Sequence, residues 1–155
     1  YFKDTDPEKL TLWFNNDFSS WLSKKKAYES GIFILDATSV PVPDNRNYGN
    51  AAYVRLDKDG KHAEDNDSDA RVTLCYKLSS LLNTDKERSY YIYGGARLDQ
   101  GNAQGLYEGK ALVENYIAQG GYISTLLIDR GYLDGEMLAC FKKKHKINWI
   151  IPLKS

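Results

Sequence analysis

Two apolar runs along the chain each end in an aspartate. The first covers residues 31–35 and is followed by Asp36, and the second covers residues 122–128 and is followed by Asp129. Short runs rich in Ile, Leu and Phe are typical of central β-strands that are buried on both faces. The first run therefore predicts a central strand of this kind, the second run predicts another strand, and each has a carboxylate at its C-terminal end.

The spacing of apolar residues also predicts the other elements. Residues 72–78 alternate as a strand with two distinct faces does, and the tyrosine-rich run at 90–93 predicts a further strand that ends at the Gly94-Gly95 pair. Helical spacing predicts one helix at 106–118 and another after Asp134, which is a suitable N-cap. The remaining predictions are a helical segment over 1–30, a polar excursion over 41–70 with a small hairpin near 57–60, a turn at 83–86 and a last strand at 147–153.

The resulting order, β-β-β-α-β-α-β, predicts an α/β fold with a mixed sheet and helical crossovers. This is the order of a ribonuclease H-like fold. Two regions are expected, an N-terminal helical segment at 1–30 and the ribonuclease H-like core at 31–155. In this order the strands that end in Asp36 and Asp129 are parallel and adjacent, so both carboxylates should meet at one edge of the sheet.

Composition indicates a single folded domain without net charge. The 155 residues contain 21 Lys and Arg and 21 Asp and Glu, so net charge gives no sign of a nucleic-acid partner. Cys75 and Cys140 lack the spacing of a metal knuckle or a disulfide scaffold, which predicts buried free thiols in a reducing compartment. No apolar run approaches the ~20 residues that span a bilayer, so we expect a cytoplasmic protein with no membrane partner. The chain starts with Tyr and stops just after a strand-like run, which predicts a fragment of a longer protein.

Two aspartates at one sheet edge suit a divalent metal ion. Their like charges repel at close range, and carboxylate oxygens are the ligands that Mg²⁺ and Mn²⁺ prefer. Two such ions can activate an attacking oxygen and stabilise a leaving oxygen in phosphoryl transfer. Spacing alone leaves a structural alternative open, since strand-terminal aspartates often cap the next turn or helix.

The local sequence around both aspartates resembles that of a known enzyme family. Residues 34–40, Ile-Leu-Asp-Ala-Thr-Ser-Val, resemble the first-aspartate motif of the DDE-type transposases of bacterial insertion sequences, in which apolar residues precede Asp-x-Thr. Residues 126–132, Leu-Leu-Ile-Asp-Arg-Gly-Tyr, resemble the second motif of that family, an apolar run followed by Asp-Arg-Gly-aromatic and a helix. The similarity runs from about residue 31 to 153.

The resemblance implies a DNA transposase that cleaves DNA strands and joins them to a target. It implies that Asp36 and Asp129 are two of three catalytic, metal-binding carboxylates, with Mg²⁺ or Mn²⁺ as the cofactor of a two-metal site. DNA, as element ends and as target, is the implied partner, and the full-length protein is expected to be a homodimer. In that family the third carboxylate is a Glu on a helix beyond the last strand predicted here, so we expect this chain alone to be inactive.

Two other functions stay open at this point. A ribonuclease H-like nuclease acts by hydrolysis and uses a Glu on the helix between the third and fourth strands, where Glu108 and Glu114 lie. Both are left out of the predicted site, because solvated glutamates on helices are more common than ligands. A degenerate domain would keep the fold as a binding module without catalysis, which the neutral charge favours slightly.

Basic residues provide candidate nucleic-acid contacts. Arg130 follows the second aspartate and is suited to a bidentate phosphate contact, with a surface salt bridge as the alternative role. The densest lysine cluster offers further contacts, although a solvated helix end explains it equally well. Its members are Lys142, Lys143, Lys144 and Lys146. His62 and His145 have no partner at metal-ligand spacing in the sequence, so surface roles are predicted for both.

Overall fold

The computed structural model of the chain describes residues 7–45, 48–63 and 67–152. The strands of this part are β1 (Ile32–Pro41), β2 (Ala52–Leu56), β3 (Arg71–Thr84), β4 (Ile92–Gln100), β5 (Thr125–Ile128) and β6 (Asn148–Ile150). The α-helices are α1 (Pro7–Leu12), α2 (Ser19–Lys24), α3 (Gly105–Ala118) and α4 (Gly135–Lys143). A π-helical turn covers Trp13–Phe18, and a 3-10 helix covers Arg130–Tyr132. Among these described residues, no helix has the length and apolar character that crossing a membrane requires.

The strands form one mixed sheet in which β3 pairs with three others. β1 runs antiparallel to β3, from Ile32 opposite Thr84 to Pro41 opposite Cys75. β2 and β4 also run antiparallel to β3, while β5 and β6 extend the sheet beyond β1 as parallel strands. The predicted antiparallel arrangement of β1, β3 and β4 and the parallel pairing of β1 with β5 are therefore confirmed.

The predicted order of elements is wrong in one place, because β2 lies inside the excursion over residues 41–70. This strand pairs with the start of β3 and buries Val54 and Leu56. The small hairpin near 57–60 is confirmed by an antiparallel bridge between Leu56 and His62. So short a strand, flanked by polar turns, gives too little alternation in sequence to be recognised.

β3 and β4 have different ends from those that the sequence predicts. The predicted turn at residues 83–86 starts too early, because β3 stays paired with β1 up to Thr84. Gly94 and Gly95 do not end a strand but lie inside β4, where the register with β3 shifts at a β-bulge. A Cβ on Gly94 would come within 2.9 Å of the Phe33 ring. The glycine therefore lets the strand pass over a buried aromatic side chain, which a local sequence pattern cannot show.

The core lies between one face of the sheet and the helices. Among the described residues, six side chains with no exposed surface mark it: Phe33, Leu35, Leu81, Val113, Leu126 and Phe141. On the opposite face of β1 and β5, the side chains are only half-buried. The prediction that β1 is buried on two faces is therefore wrong for the second face, because α3 and α4 both pack on the first.

The helices before β1 hold the edge strand β4. The Asn15 side chain donates to the carbonyl of Ala96 and accepts from its amide, with both hydrogen bonds at 2.8 Å. The Ser19 hydroxyl donates to the carbonyl of Gly94 at 2.9 Å. Backbone groups of an edge strand would otherwise need water or another chain as partners, so these two side chains protect the edge.

Candidate active site at the ends of β1 and β5

Asp36 and Asp129 are neighbours at the carboxyl ends of two parallel strand segments. The last paired residues of β1 and β5 are Leu35 and Ile128, and each aspartate is the next residue along the chain. Adjacent strands are about 4.8 Å apart, so the backbone places the two aspartates next to each other. Both side chains are exposed and line one cavity of about 680 Å³.

Asp36 ends the parallel pairing, but it does not end its strand. β1 continues to Pro41 because β3 stays paired with it, and Asp36 lies opposite Ser80 in this register. The predicted strand end is therefore wrong, since the antiparallel partner extends the strand. The extension brings residues 37–39 into the wall of the cavity.

Four other parts of the chain complete the cavity wall. They are the hairpin after β2 with residues 60–62, Lys77 of β3, the first turn of α3 at residues 105–106, and the 3-10 helix Arg130–Tyr132. The cavity therefore combines two exposed carboxylates with basic side chains from neighbouring elements.

Tyr132 is the buried side chain of this site. Only 4% of its surface is exposed, and α3 packs against it through two glycines. A Cβ added at Gly109 would come within 2.6 Å of the ring, and one at Gly105 would come within 3.3 Å of the hydroxyl. The absence of side chains at these two positions lets α3 approach the aspartates closely.

Burial is the main cause that raises the pKa of Tyr132 to about 12. The nearby Ser79 hydroxyl lowers this pKa in part, although the two hydroxyls do not form a hydrogen bond of ordinary geometry. Three carboxylates add to the rise through their negative charge, and they belong to Asp36, Glu108 and Asp129. The phenol therefore stays protonated at neutral pH, within range of the charges of three carboxylates.

Glu108 is a candidate that the sequence analysis left out of the site. It is half-buried on α3, and its Oε2 atom is buried with no hydrogen-bond partner among the described residues. Its charge acts on Tyr132, and the next residue, Gly109, packs against the Tyr132 ring, so Glu108 lies near a residue that lines the cavity. Its spacing from Gly105 and Leu112 puts it on the helix face that turns towards the sheet, a signal that could have identified it.

Lys77 and His62 add basic groups to the cavity. The Lys77 ammonium group donates to the carbonyl of Ala103 at 2.7 Å and also lines the cavity. Desolvation and the charge of Lys77 lower the pKa of His62. The His62 ring is exposed, as its predicted surface role requires, but the hairpin after β2 carries it to the cavity wall.

Arg130 lies at this cavity, whereas the lysine cluster does not. Arg130 is exposed, and no ion pair forms at it within the part of the chain that the structure describes. The lysines at 142–146 lie in the last turn of α4 and just after it. This is the opposite end of the sheet, where Asn148 of β6 pairs with Thr125 of β5. The lysines and the aspartates therefore lie at opposite edges.

The donor set of the cavity fits a divalent ion with oxygen ligands. In residues 7–45, 48–63 and 67–152, neither the Asp36 nor the Asp129 side chain forms a hydrogen bond or an ion pair. The buried Oε2 atom of Glu108 is also without a partner there. Unpaired carboxylates on one cavity wall leave a negative field that attracts a cation, and Mg²⁺ or Mn²⁺ would keep room for water and phosphate.

Fold and site together define the class of protein. A mixed α/β structure with a mixed six-stranded sheet and a few helices fits a ribonuclease H-like fold. The family described as Transposase DDE domain matches residues 27–155, and the chain belongs to this family. The predicted resemblance of the chain to DDE-type transposases is thereby confirmed, and membership supports a transposase function. No curated protein and no solved structure matches the chain.

Proposed function

We propose that Asp36 and Asp129 are two catalytic carboxylates of a transposase that cleaves DNA and joins the cut strand to a target. The observation that carries this proposal is their position immediately after the last parallel pair of β1 and β5, Leu35 with Ile128, in one cavity. The motifs Asp-Ala-Thr at 36–38 and Asp-Arg-Gly at 129–131 support it, because the family match spans both. Mg²⁺ or Mn²⁺ at the aspartates, and a full-length homodimer that holds both element ends, belong to the same proposal.

A bound divalent ion supplies a Lewis acid that activates an oxygen nucleophile and stabilises the leaving oxygen. Asp36 and Asp129 would hold this ion, and the other residues of the cavity position the DNA backbone. Arg130 offers a planar fork that can bind one phosphate through two hydrogen bonds. Lys77, which is fixed by its hydrogen bond to Ala103, adds a point charge for a backbone phosphate.

Tyr132 acts as a positioning residue in this proposal. Its pKa of about 12 keeps the phenol neutral, so it adds no negative charge beside the carboxylates. Its backbone amide donates to the carbonyl of Asp129 at 2.9 Å and closes the turn that carries Arg130. The buried ring of Tyr132 therefore fixes the backbone from which the side chains of Asp129 and Arg130 project.

The lysine cluster at 142–146 is proposed as a second DNA contact, away from the cleavage cavity. All four lysines are exposed, and cations on a surface attract DNA through its phosphates. Lys142 also contacts the side-chain oxygen of Asn148 on β6. Because these lysines lie at the opposite end of the sheet from Asp36 and Asp129, they would bind DNA at a distance from the phosphodiester that reacts.

One observation favours a second candidate function, a ribonuclease H-like nuclease that hydrolyses its substrate without strand transfer. Such enzymes use a Glu on the helix that Glu108 occupies. The buried, unpartnered Oε2 atom of Glu108, whose charge acts on Tyr132 as the charges of both aspartates do, suits that role. In this alternative the third carboxylate comes from α3.

Titration of the 155-residue chain with Mn²⁺ tests the metal site common to both candidates. Asp36→Asn and Asp129→Asn should each weaken Mn²⁺ binding at least about tenfold, because each removes a charged ligand. Asp17→Asn is the matched control, since it removes the charge of an exposed aspartate in the π-helical turn. A wild-type chain that does not bind Mn²⁺ would instead support a degenerate binding module.

A cleavage assay with labelled DNA and Mg²⁺ separates the two candidates. For the transposase, the full-length protein should yield joined products that disappear in Asp36→Asn and Asp129→Asn, while DNA binding persists. Hydrolysis without joining by the 155-residue chain, lost in Glu108→Gln, would support the nuclease instead. Unchanged turnover in either aspartate variant contradicts both functions.

A further inference from the structure

Glu114, Cys140 and His145 form a cluster of metal-ligating side chains outside the active-site cavity. One ligand atom from each lies within 4.8 Å of the other two, and all three side chains are half-buried. α3 begins at the cavity with Gly105, and Glu114 lies about 2.5 turns further along the helix, or about 14 Å away. The cluster is therefore separate from the aspartates.

Helix packing brings the three side chains together. Glu114 lies in α3, Cys140 lies in α4, and His145 lies just after the end of α4. Val113 directly precedes Glu114, and Phe141 directly follows Cys140. Both Val113 and Phe141 lie in the core with no exposed surface. The core packing therefore fixes the backbone positions of Glu114 and Cys140.

The His145 ring has a buried nitrogen that lacks a partner. Its Nε2 atom makes no hydrogen bond within the described residues, although the turn around it is closed by the Ile147 amide, which donates to the carbonyl of Phe141 at 3.0 Å. A buried polar atom without a partner is uncommon and requires an explanation. The sequence offers His145 no partner at metal-ligand spacing, but the fold brings Glu114 to it from a different helix.

The other two side chains of the cluster are also free to bind. Cys140 is a free thiol, as the sequence predicts, although it is half-buried rather than fully buried. Neither Glu114 nor Cys140 makes a side-chain hydrogen bond or an ion pair in the part of the chain that the structure describes. A sulfur, a nitrogen and an oxygen thus face one another without protein partners.

We propose that this cluster binds Zn²⁺, or an ion of similar chemistry, as a structural site that ties α3 to the end of α4. Mixed sulfur, nitrogen and oxygen ligands suit Zn²⁺, whereas Mg²⁺ and Ca²⁺ prefer oxygen alone. With bonds of about 2.0–2.3 Å, the ligand atoms of a tetrahedral site lie about 3.3–3.8 Å apart. Side-chain shifts of about 1 Å would reach that geometry.

The proposed site has three protein ligands, so water would take the fourth position. Cys140 gives its thiol proton to solvent as its sulfur binds the ion, which keeps the proton count balanced. Because an unfolded chain does not hold the three ligands together, binding should stabilise the fold. This site would work independently of the proposed DNA chemistry.

Cobalt absorbance tests the sulfur ligand directly. Co²⁺ added to the reduced 155-residue chain should give a thiolate-to-cobalt charge-transfer band that saturates at one ion per chain, and Zn²⁺ should remove it by competition. Cys140→Ser should abolish the band. Cys75→Ser should keep it, because Cys75 is buried in a separate cluster with Val54 and Leu56. His145→Gln should weaken Co²⁺ binding at least about tenfold.

Two controls exclude misfolding of the variant and metal binding at the active site as explanations of the result. Far-ultraviolet circular dichroism of metal-free Cys140→Ser should match that of the wild type. The double variant Asp36→Asn with Asp129→Asn should keep the band, so failure of the proposed DNA chemistry would not affect this test.

Results of two measurements would overturn the structural zinc site. In cobalt absorbance, these are a band of equal strength in Cys140→Ser, or no band in the reduced wild-type chain with equimolar Co²⁺. In thermal unfolding, these are a midpoint temperature that Zn²⁺ leaves unchanged in the wild type, or that Zn²⁺ raises equally in the wild type and in Cys140→Ser.

Discussion

Replacing Gly109 with alanine tests how closely α3 is fitted to the candidate active site. The added Cβ would come within 2.6 Å of the Tyr132 ring and within 3.0 Å of the Leu35 side chain. Both neighbours are buried, so neither can turn aside into solvent. The substitution must therefore move α3 away from the sheet or shift the 3-10 helix that follows Asp129.

The size of the effect follows from two opposing contributions to stability. Alanine is favoured over glycine inside a helix by about 1 kcal/mol. Overpacking a filled core costs about 1–3 kcal/mol, and the 2.6 Å contact puts Gly109 in the upper part of that range. The expected net loss is about 1–2 kcal/mol, which lowers the melting temperature of a domain of this size by about 2–8 °C.

Urea denaturation followed by circular dichroism provides the measurement. Gly135→Ala is the matched control, because Gly135 begins α4 and no atom lies within 4 Å of its added Cβ. This control should unfold at the wild-type urea concentration or slightly above it. If Gly109→Ala were as stable as the wild type, the close fit between α3 and Tyr132 would be refuted.

Three further expectations concern the sheet edge, the buried phenol and DNA. Asn15→Ala should lower the free energy of unfolding by about 1–3 kcal/mol in urea denaturation, because Ala96 loses two hydrogen bonds; an unchanged midpoint would contradict this. The free energy of unfolding should fall as the pH rises from 10 towards 12, because the unfolded phenol of Tyr132 loses its proton before the folded one does; Tyr132→Phe should fall less steeply. Lys77→Met should weaken DNA binding and reduce its salt dependence by about one phosphate contact in fluorescence anisotropy, and an identical salt slope would exclude that contact.

The two aspartates could be predicted from sequence because their signal is local. Each follows an apolar run, and the order of strands and helices predicts that the two runs are parallel neighbours. The structure agrees, since Leu35 pairs with Ile128 immediately before them. Pattern and topology were sufficient for this position because each aspartate directly follows the last residue of a parallel strand pairing.

The strand ends depended on pairing partners, which a local pattern does not contain. β1 extends past Asp36 because β3 remains beside it as far as Pro41. The glycine pair at 94–95 predicts the end of a strand from sequence. In the fold, Gly94 lies inside β4, where its lack of a side chain leaves room for the Phe33 ring. In both cases tertiary contacts override the local preference.

The groups that converge between helices could not be predicted for a related reason. Cys140 and His145 are near each other in sequence, but Glu114 joins them only through the packing of α3 against the core that it shares with α4. Glu108 likewise lies near Tyr132 because α3 packs closely against the ring of that residue. Helical periodicity gives the face on which a residue lies, and it does not give the neighbour that this face meets.

Anomalous X-ray diffraction from crystals of the chain saturated with Mn²⁺ is the most direct test of the metal site at Asp36 and Asp129. The account predicts a manganese peak at about 2.2 Å from a carboxylate oxygen of each aspartate, in the cavity at the ends of β1 and β5. The same peak should be absent from crystals of Asp129→Asn. Wild-type crystals in which the two carboxylates point apart and no manganese lies between them would contradict the central claim.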